Sequence, residues 1–182
     1  MTVFLWHIGA TVALGRYVFR DAAMDLRWLA AGSILPDVID KPIASILFND
    51  TFHAHRVYGH TLAFPVLGLV AALVFTRRGS RIRKAAFAVV LGVFMHLVLD
   101  GAWTSPDAFL WPLFGWAFPT SSGSDFATLV RTMVTDPLVW VGEGFGAAYL
   151  IYLWRRHLNA PGALRRFLRD GRIPMPARTS GA

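Results

Sequence analysis

Apolar residues in this chain fall into runs, not into the strict alternation of strands or the narrow stripe of a water-facing helix. Residues 1–19 read as a first short apolar helix ending near Arg16 and Arg20. They carry no charged leading region and no small-residue cleavage site, so they are expected to be a helix of the protein and not a signal peptide. Residues 28–35 form a second run, which Pro36 is expected to stop. The mixed stretch 43–58 predicts a loop or interfacial turn. Three clearer apolar segments follow: 61–76 closed by Arg77 and Arg78, 85–99 closed by Asp100, and 138–154, apolar apart from Glu143 and closed by Arg155 and Arg156. Each is near or below the roughly 17–25 residues that span a bilayer. A connection rich in Trp, Pro and Gly separates the last two, and its Trp103, Trp111 and Trp116 suit a membrane interface. No internal repeat is evident.

Composition strengthens the membrane reading. The chain has 182 residues, 55% of them hydrophobic and 16% charged, against roughly 25% charged in soluble domains. The net charge of +7 would suit a nucleic-acid binder, but such a protein is not normally this apolar. Basic residues flanking apolar runs fit anionic headgroups better, so membrane lipids are the expected partners and nucleic acid is not. Cysteine is absent, which removes disulfides and thiolate metal sites. Arg77, Arg78, Arg81, Arg83 and Lys84, with the arginine-rich tail after Trp154, hold most of the eighteen basic residues. The positive-inside rule places both groups in the cytoplasm. Segment 61–76 then begins, and segment 85–99 ends, on the extracytoplasmic side, where His60, His96 and Asp100 meet. His7, Asp37 and Asp40 join them if the first two helices run inward and back.

His96 and Asp100 are spaced i, i+4 and share one helix face, which suits one shared ion or a hydrogen-bonded polar pair. Asp37 and Asp40 follow Pro36 and are either carboxylate ligands or capping residues. His55, Arg56 and His60 precede an apolar helix and are either site residues or interfacial ones. His7 stands within the first run, as a ligand or a packed histidine. Ionisable groups at membrane depth are retained mainly where they pair, bind ions or line a pathway. Five apolar boundaries each offering His or Asp are therefore read together, as a metal site. Imidazole and carboxylate without thiolate suit zinc in a catalytic role, or manganese or iron, as one ion or two. Glu143 is a further ligand, a general base, a partner for Arg56 or a proton-relay group.

The strings GSILPDVID, HRVYGHTLAFP and MHLVLDGAWTSPDAFLWPLFGWAF resemble the YdjM-like group of bacterial membrane-bound, metal-dependent hydrolases over about residues 5–120. The resemblance implies ligand roles for His7, Asp37, Asp40, His55, His60, His96 and Asp100, with Arg56 contacting an anion. Val57 and Gly59 stand where that group has Gly and Thr, and Thr61 where it has Ser. The order of candidate ligands is also similar to that of zinc-dependent phospholipase C and nuclease P1, which implies phosphoester cleavage.

The expected fold is an all-α integral membrane bundle of about four to five short apolar helices, with a His/Asp cluster at one face. Residues 1–154 form the hydrolase-like domain and residues 155–182 a basic cytoplasmic tail, expected to anchor on lipid headgroups. The expected function is a multi-pass metal-dependent hydrolase of the bacterial inner membrane, acting on a phosphoester or lipid-like substrate, with its site on the extracytoplasmic side. The alternatives are a non-enzymatic scaffold or partner-binding protein built around a structural metal or polar cluster, and a transporter using Glu143 and Asp100 as a relay.

Overall fold

The computed structural model describes residues 4–54, 56–120 and 126–174, and among them the chain is all-helical. Helix α1 (Phe4–Leu14) continues through wide turns to Phe19. Helix α2 (Leu26–Asp40) starts at Asp25, whose carboxylate accepts the Arg27 N–H at 3.0 Å as an N-cap. Wide turns carry α2 on to Leu47, followed by the short α3 (Asn49–Phe52). Helix α4 (Ala63–Phe75) leads into α5 (Arg81–Leu99), which Ser80 caps through the Arg83 N–H at 3.1 Å. After the short α6 (Pro106–Phe109) come α7 (Phe126–Thr135) and α8 (Pro137–Leu153). Asp136 caps α8 and Pro137 occupies its first turn, where a missing N–H costs nothing. The tail forms α9 (Ala163–Asp170).

Two expectations about local structure are corrected. Pro36 lies inside α2 and does not end it. Proline is tolerated inside apolar helices where neighbouring groups take up the disturbed backbone. Separately, the Ser33 carbonyl in the preceding turn accepts a hydrogen bond from His96 of α5 at 2.7 Å. The stretch 43–58 is also partly helical, because α2 and α3 extend into it.

Helix α2 packs chiefly on α5, and α1 chiefly on α8, with α1 also against α2 and α4 against α5. Both main crossings run through glycine. A Cβ on Gly92 would overlap the Leu29 carbonyl and sit 2.9 Å from the Gly32 Cα, and one on Gly32 would overlap the Val89 carbonyl. At the other crossing, a Cβ on Gly9 would lie 2.6 Å from the Gly146 Cα. Small residues at such contacts let apolar helices approach backbone to backbone, the usual device where lipid removes the hydrophobic drive for association. Val12, Leu26, Leu29, Ala88, Leu153 and Ile173 form the core beside these crossings.

The outer surface is apolar. Leu67, Val74 and Phe75 on α4, and Leu138, Trp140 and Phe145 on α8, are all exposed. Contiguous apolar surface of this kind marks contact with lipid or protein. Among the described residues, α5 is the helix long and apolar enough to cross a membrane by itself.

Gly92→Ala is expected to lower unfolding stability in detergent by about 2–3 kcal/mol, because backbone must separate from backbone. Gly144 has open space around its Cβ position, so Gly144→Ala is expected to be neutral or to stabilise by up to about 1 kcal/mol. Tryptophan-fluorescence melting of both variants checks the pair.

Candidate metal centre

The α2–α5 crossing and the turn before α4 bring four side chains together. Asp37 and Asp40 lie on the last turn of α2, and His96 on the last turn of α5. His60 ends the short 3-10 turn Tyr58–His60, which leads into α4. All four are 2% exposed or less. One ligand atom from each of Asp37, His60 and His96 falls within 4.8 Å of the others, so these three can hold a metal ion.

The tautomers follow from the hydrogen bonds. His96 Nδ1 lies 2.7 Å from the Ser33 carbonyl, which only accepts, so Nδ1 donates and a neutral ring presents its lone pair at Nε2. His60 Nδ1 lies 2.7 Å from Asp40 Oδ2, with the same consequence. The two Nε2 atoms then face each other at 3.3 Å. Asp37 Oδ1 is 3.6 Å from His60 Nε2 and 3.9 Å from His96 Nε2, and Asp100 Oδ2 is 3.7 Å from His60 Nε2. The two facing Nε2 lone pairs and the nearby Asp37 Oδ1 are acceptors that repel one another, and a shared cation relieves that repulsion. A metal-ligating histidine typically donates its other ring N–H to a carboxylate or carbonyl, and both rings do so here. The donor set therefore fits a divalent ion that prefers nitrogen and oxygen ligands.

The structure gives the remaining candidates distinct places. Asp40 uses both oxygens on backbone and imidazole: the N–H groups of Val57 at 2.8 Å, Gly59 at 2.8 Å and His60 at 3.2 Å, besides His60 Nδ1. It pins the 57–60 turn to α2. Asp100 caps α5 and pairs with Arg56, whose Nη2 lies 2.5 Å from Oδ2 and 3.2 Å from the Asp100 carbonyl. Burial alone would raise the Asp100 carboxyl, but the Arg56 guanidinium holds it below the usual carboxylate range. His7 stacks on His96 with ring centroids 4.2 Å apart, so α1 contributes a wall of the site. Glu143 lies on α8 and accepts the Trp6 N–H at 2.9 Å, satisfying one of the orphan donors of the first turn of α1. His55 lies outside the described residues.

Sequence reasoning passed over two contributors. Lys41 pairs with Asp37 Oδ2 at 3.4 Å and lies 5.1 Å from the centre of the Phe4 ring; its i, i+4 spacing from Asp37 was the available signal. The Ser33 carbonyl orients His96, and nothing in the local sequence singles it out.

A family model described as YdjM inner membrane protein matches residues 1–159. The chain belongs to the YdjM family. No curated protein matches it, and no solved structure does. The family match covers α1 to α8, so every residue of the His/Asp cluster lies within the family region.

Asp40→Ala is expected to destabilise the fold by about 3–5 kcal/mol, since it strands buried N–H groups and the His60 imidazole. Asp40→Asn keeps one accepting oxygen and is expected to cost less. Chemical unfolding of both variants in detergent measures the difference.

Proposed function

We propose that this YdjM-family protein is a multi-pass, metal-dependent hydrolase of the bacterial inner membrane, acting on a phosphoester or lipid-like substrate. The observation that carries the reading is the convergence of two imidazole Nε2 atoms and the Asp37 carboxylate on one buried point. Asp37, His60 and His96 are the proposed ligands, with Asp100 at the margin of the set and His7 as a packing wall. Asp40 and the Ser33 carbonyl hold the two rings in their ligating tautomers. Zinc is the ion favoured by this donor set, with manganese or iron as the other choices. Such an ion, when bound, supplies Lewis-acid polarisation and an acidified water. Arg56 is partly exposed beside Asp100, where its fork-shaped guanidinium suits an anionic substrate group.

Multi-pass insertion has support beyond α5. Wide turns extend α2 to Leu47 and α8 to Leu158 without a break in the helical path. Each continuous stretch then reaches the roughly 20 residues a bilayer requires. With the basic 77–84 loop inside, the metal ligands face the extracytoplasmic side.

A second reading, a structural ion in a non-enzymatic protein, is favoured by one observation: the His60, His96 and Asp37 side chains are 3% exposed or less. A structural zinc site is closed by four protein ligands, whereas a catalytic one keeps a position for water.

Purified protein is expected to hold stoichiometric metal by elemental analysis, and His96→Ala and Asp37→Ala to lose it while remaining folded. Asp40→Asn is expected to weaken metal affinity about 10–100-fold, as outer-shell changes do. Hydrolysis of at least one member of a phosphodiester and phospholipid panel, abolished in His96→Ala, separates the enzymatic reading from the structural one. A metal-loaded protein inert across the panel, with four protein ligands by X-ray absorption, would favour the structural ion. Topology is testable because the chain lacks cysteine. Arg78→Cys is expected to resist a membrane-impermeant maleimide in intact cells, and Ser105→Cys to be labelled.

A further inference from the structure

Arg16 sits just beyond the end of α1, nine residues from His7 and so about 13 Å further along the helix. It is the largest of the fully buried side chains, at 1% exposure. Among the described residues its hydrogen-bond partners are neutral: the Tyr149 hydroxyl at 3.3 Å, His157 Nε2 at 3.1 Å and the Pro174 carbonyl at 2.7 Å. The Tyr17 ring lies 5.8 Å away, and Arg16 Nε has no hydrogen-bond partner among the described residues. Because the guanidinium donates, His157 Nε2 accepts, so this imidazole is neutral. A buried cation without a counter-charge is costly.

Beside this group lies an open cleft of about 430 Å³, lined by Ala148, Ile151, Tyr152, Arg155 and Arg156. Tyr152 joins the cleft to the buried cation, for its ring stacks near Tyr149 at 6.1 Å and meets His157 edge-on at 6.5 Å. Among the described residues, no carboxylate forms an ion pair with Arg16, Arg155 or Arg156. Two arginines and a phenol line the cleft with Arg16 behind them, and with no ion-paired acid among the described residues they make a place for a phosphate-bearing anion. The surroundings select a lipid as its source. Ile151 and Trp154 are exposed apolar neighbours, and α9 presents Leu164 and Leu168 beside Arg165, Arg166 and Arg169, the pattern of a helix lying in the membrane interface. Basic pockets at the cytoplasmic ends of membrane helices suit anionic headgroups.

We propose that the cleft at the end of α8 binds the headgroup phosphate of an anionic phospholipid, with Arg155, Arg156 and Tyr152 as its contacts and Arg16 as the buried cation behind them. The site is separate from the His/Asp cluster and stands whether or not that cluster is catalytic.

The test uses the full chain in nanodiscs of phosphatidylcholine, alone or with phosphatidylglycerol, read by thermal unfolding and by lipid adducts in native mass spectrometry. Phosphatidylglycerol is expected to raise the unfolding temperature and to be retained as an adduct. R155A/R156A is expected to weaken that retention about 30-fold, at about 1 kcal/mol for each arginine. The control R77A/R78A removes equal charge from the exposed α4–α5 loop and is expected to retain the lipid. The proposal is overturned if phosphatidylglycerol gives no shift, or if the control loses the lipid as fully as R155A/R156A. Inorganic phosphate added to phosphatidylcholine discs is expected to do little; if it reproduces the whole shift, the occupant is a soluble anion and the lipid assignment fails.

Discussion

At the crossing of α2 and α5, backbone rests on backbone. Gly32 and Gly92 leave no room for even a methyl group between the two helices. This contact sets the distance at which every other feature operates. It places the His96 ring within reach of the Ser33 carbonyl, and it brings the end of α5 beside Asp37. A wider crossing would carry His96 out of range of both. Apolar helices in lipid gain little from hydrophobic contact with one another, so close van der Waals packing at small residues has to hold them.

The second constraint is Asp40. One carboxylate gathers three backbone N–H groups and an imidazole from the turn before α4. Buried charge is tolerated where its acceptors are filled, and here filling them organises a segment that has little regular structure of its own. His60 is thereby delivered to the point where His96 arrives from the other side. Three separate stretches of chain, meeting through one glycine crossing and one saturated carboxylate, create the cluster. The same logic explains why Glu143 stands apart from that set: its carboxylate is spent on the first turn of α1.

Charge is divided between the two ends of the molecule. One end gathers acids and imidazoles, with Arg56 and Lys41 balancing Asp100 and Asp37. The other gathers arginines with phenols and a neutral histidine. Acceptors gathered in a buried site favour a cation, and donors gathered at a basic end favour an anion. Helix α1 links the two ends, with His7 against the cluster and Arg16 beside the tail.

Much of this was legible in the residues alone. The apolar runs and the charge deficit pointed to helices, and the helices do carry apolar side chains on their outer surface. The His-x-x-x-Asp spacing and the Pro-Asp-x-x-Asp run named the right neighbourhood, since i, i+3 and i, i+4 offsets fix which side chains share a helix face. Local pattern did not reveal that Pro36 stays inside its helix, nor that the Ser33 carbonyl one turn earlier meets His96 from another helix. Nor did it show that Asp40 binds the 57–60 backbone and His60 Nδ1 while Asp37 faces the two Nε2 atoms, or that Arg16 is buried with no ion-paired acid among the described residues. Each of those depends on which helix lies alongside, a choice made by glycine contacts and satisfied hydrogen bonds across the fold. Spacing along one helix is a local property, and partnership between helices is a tertiary one.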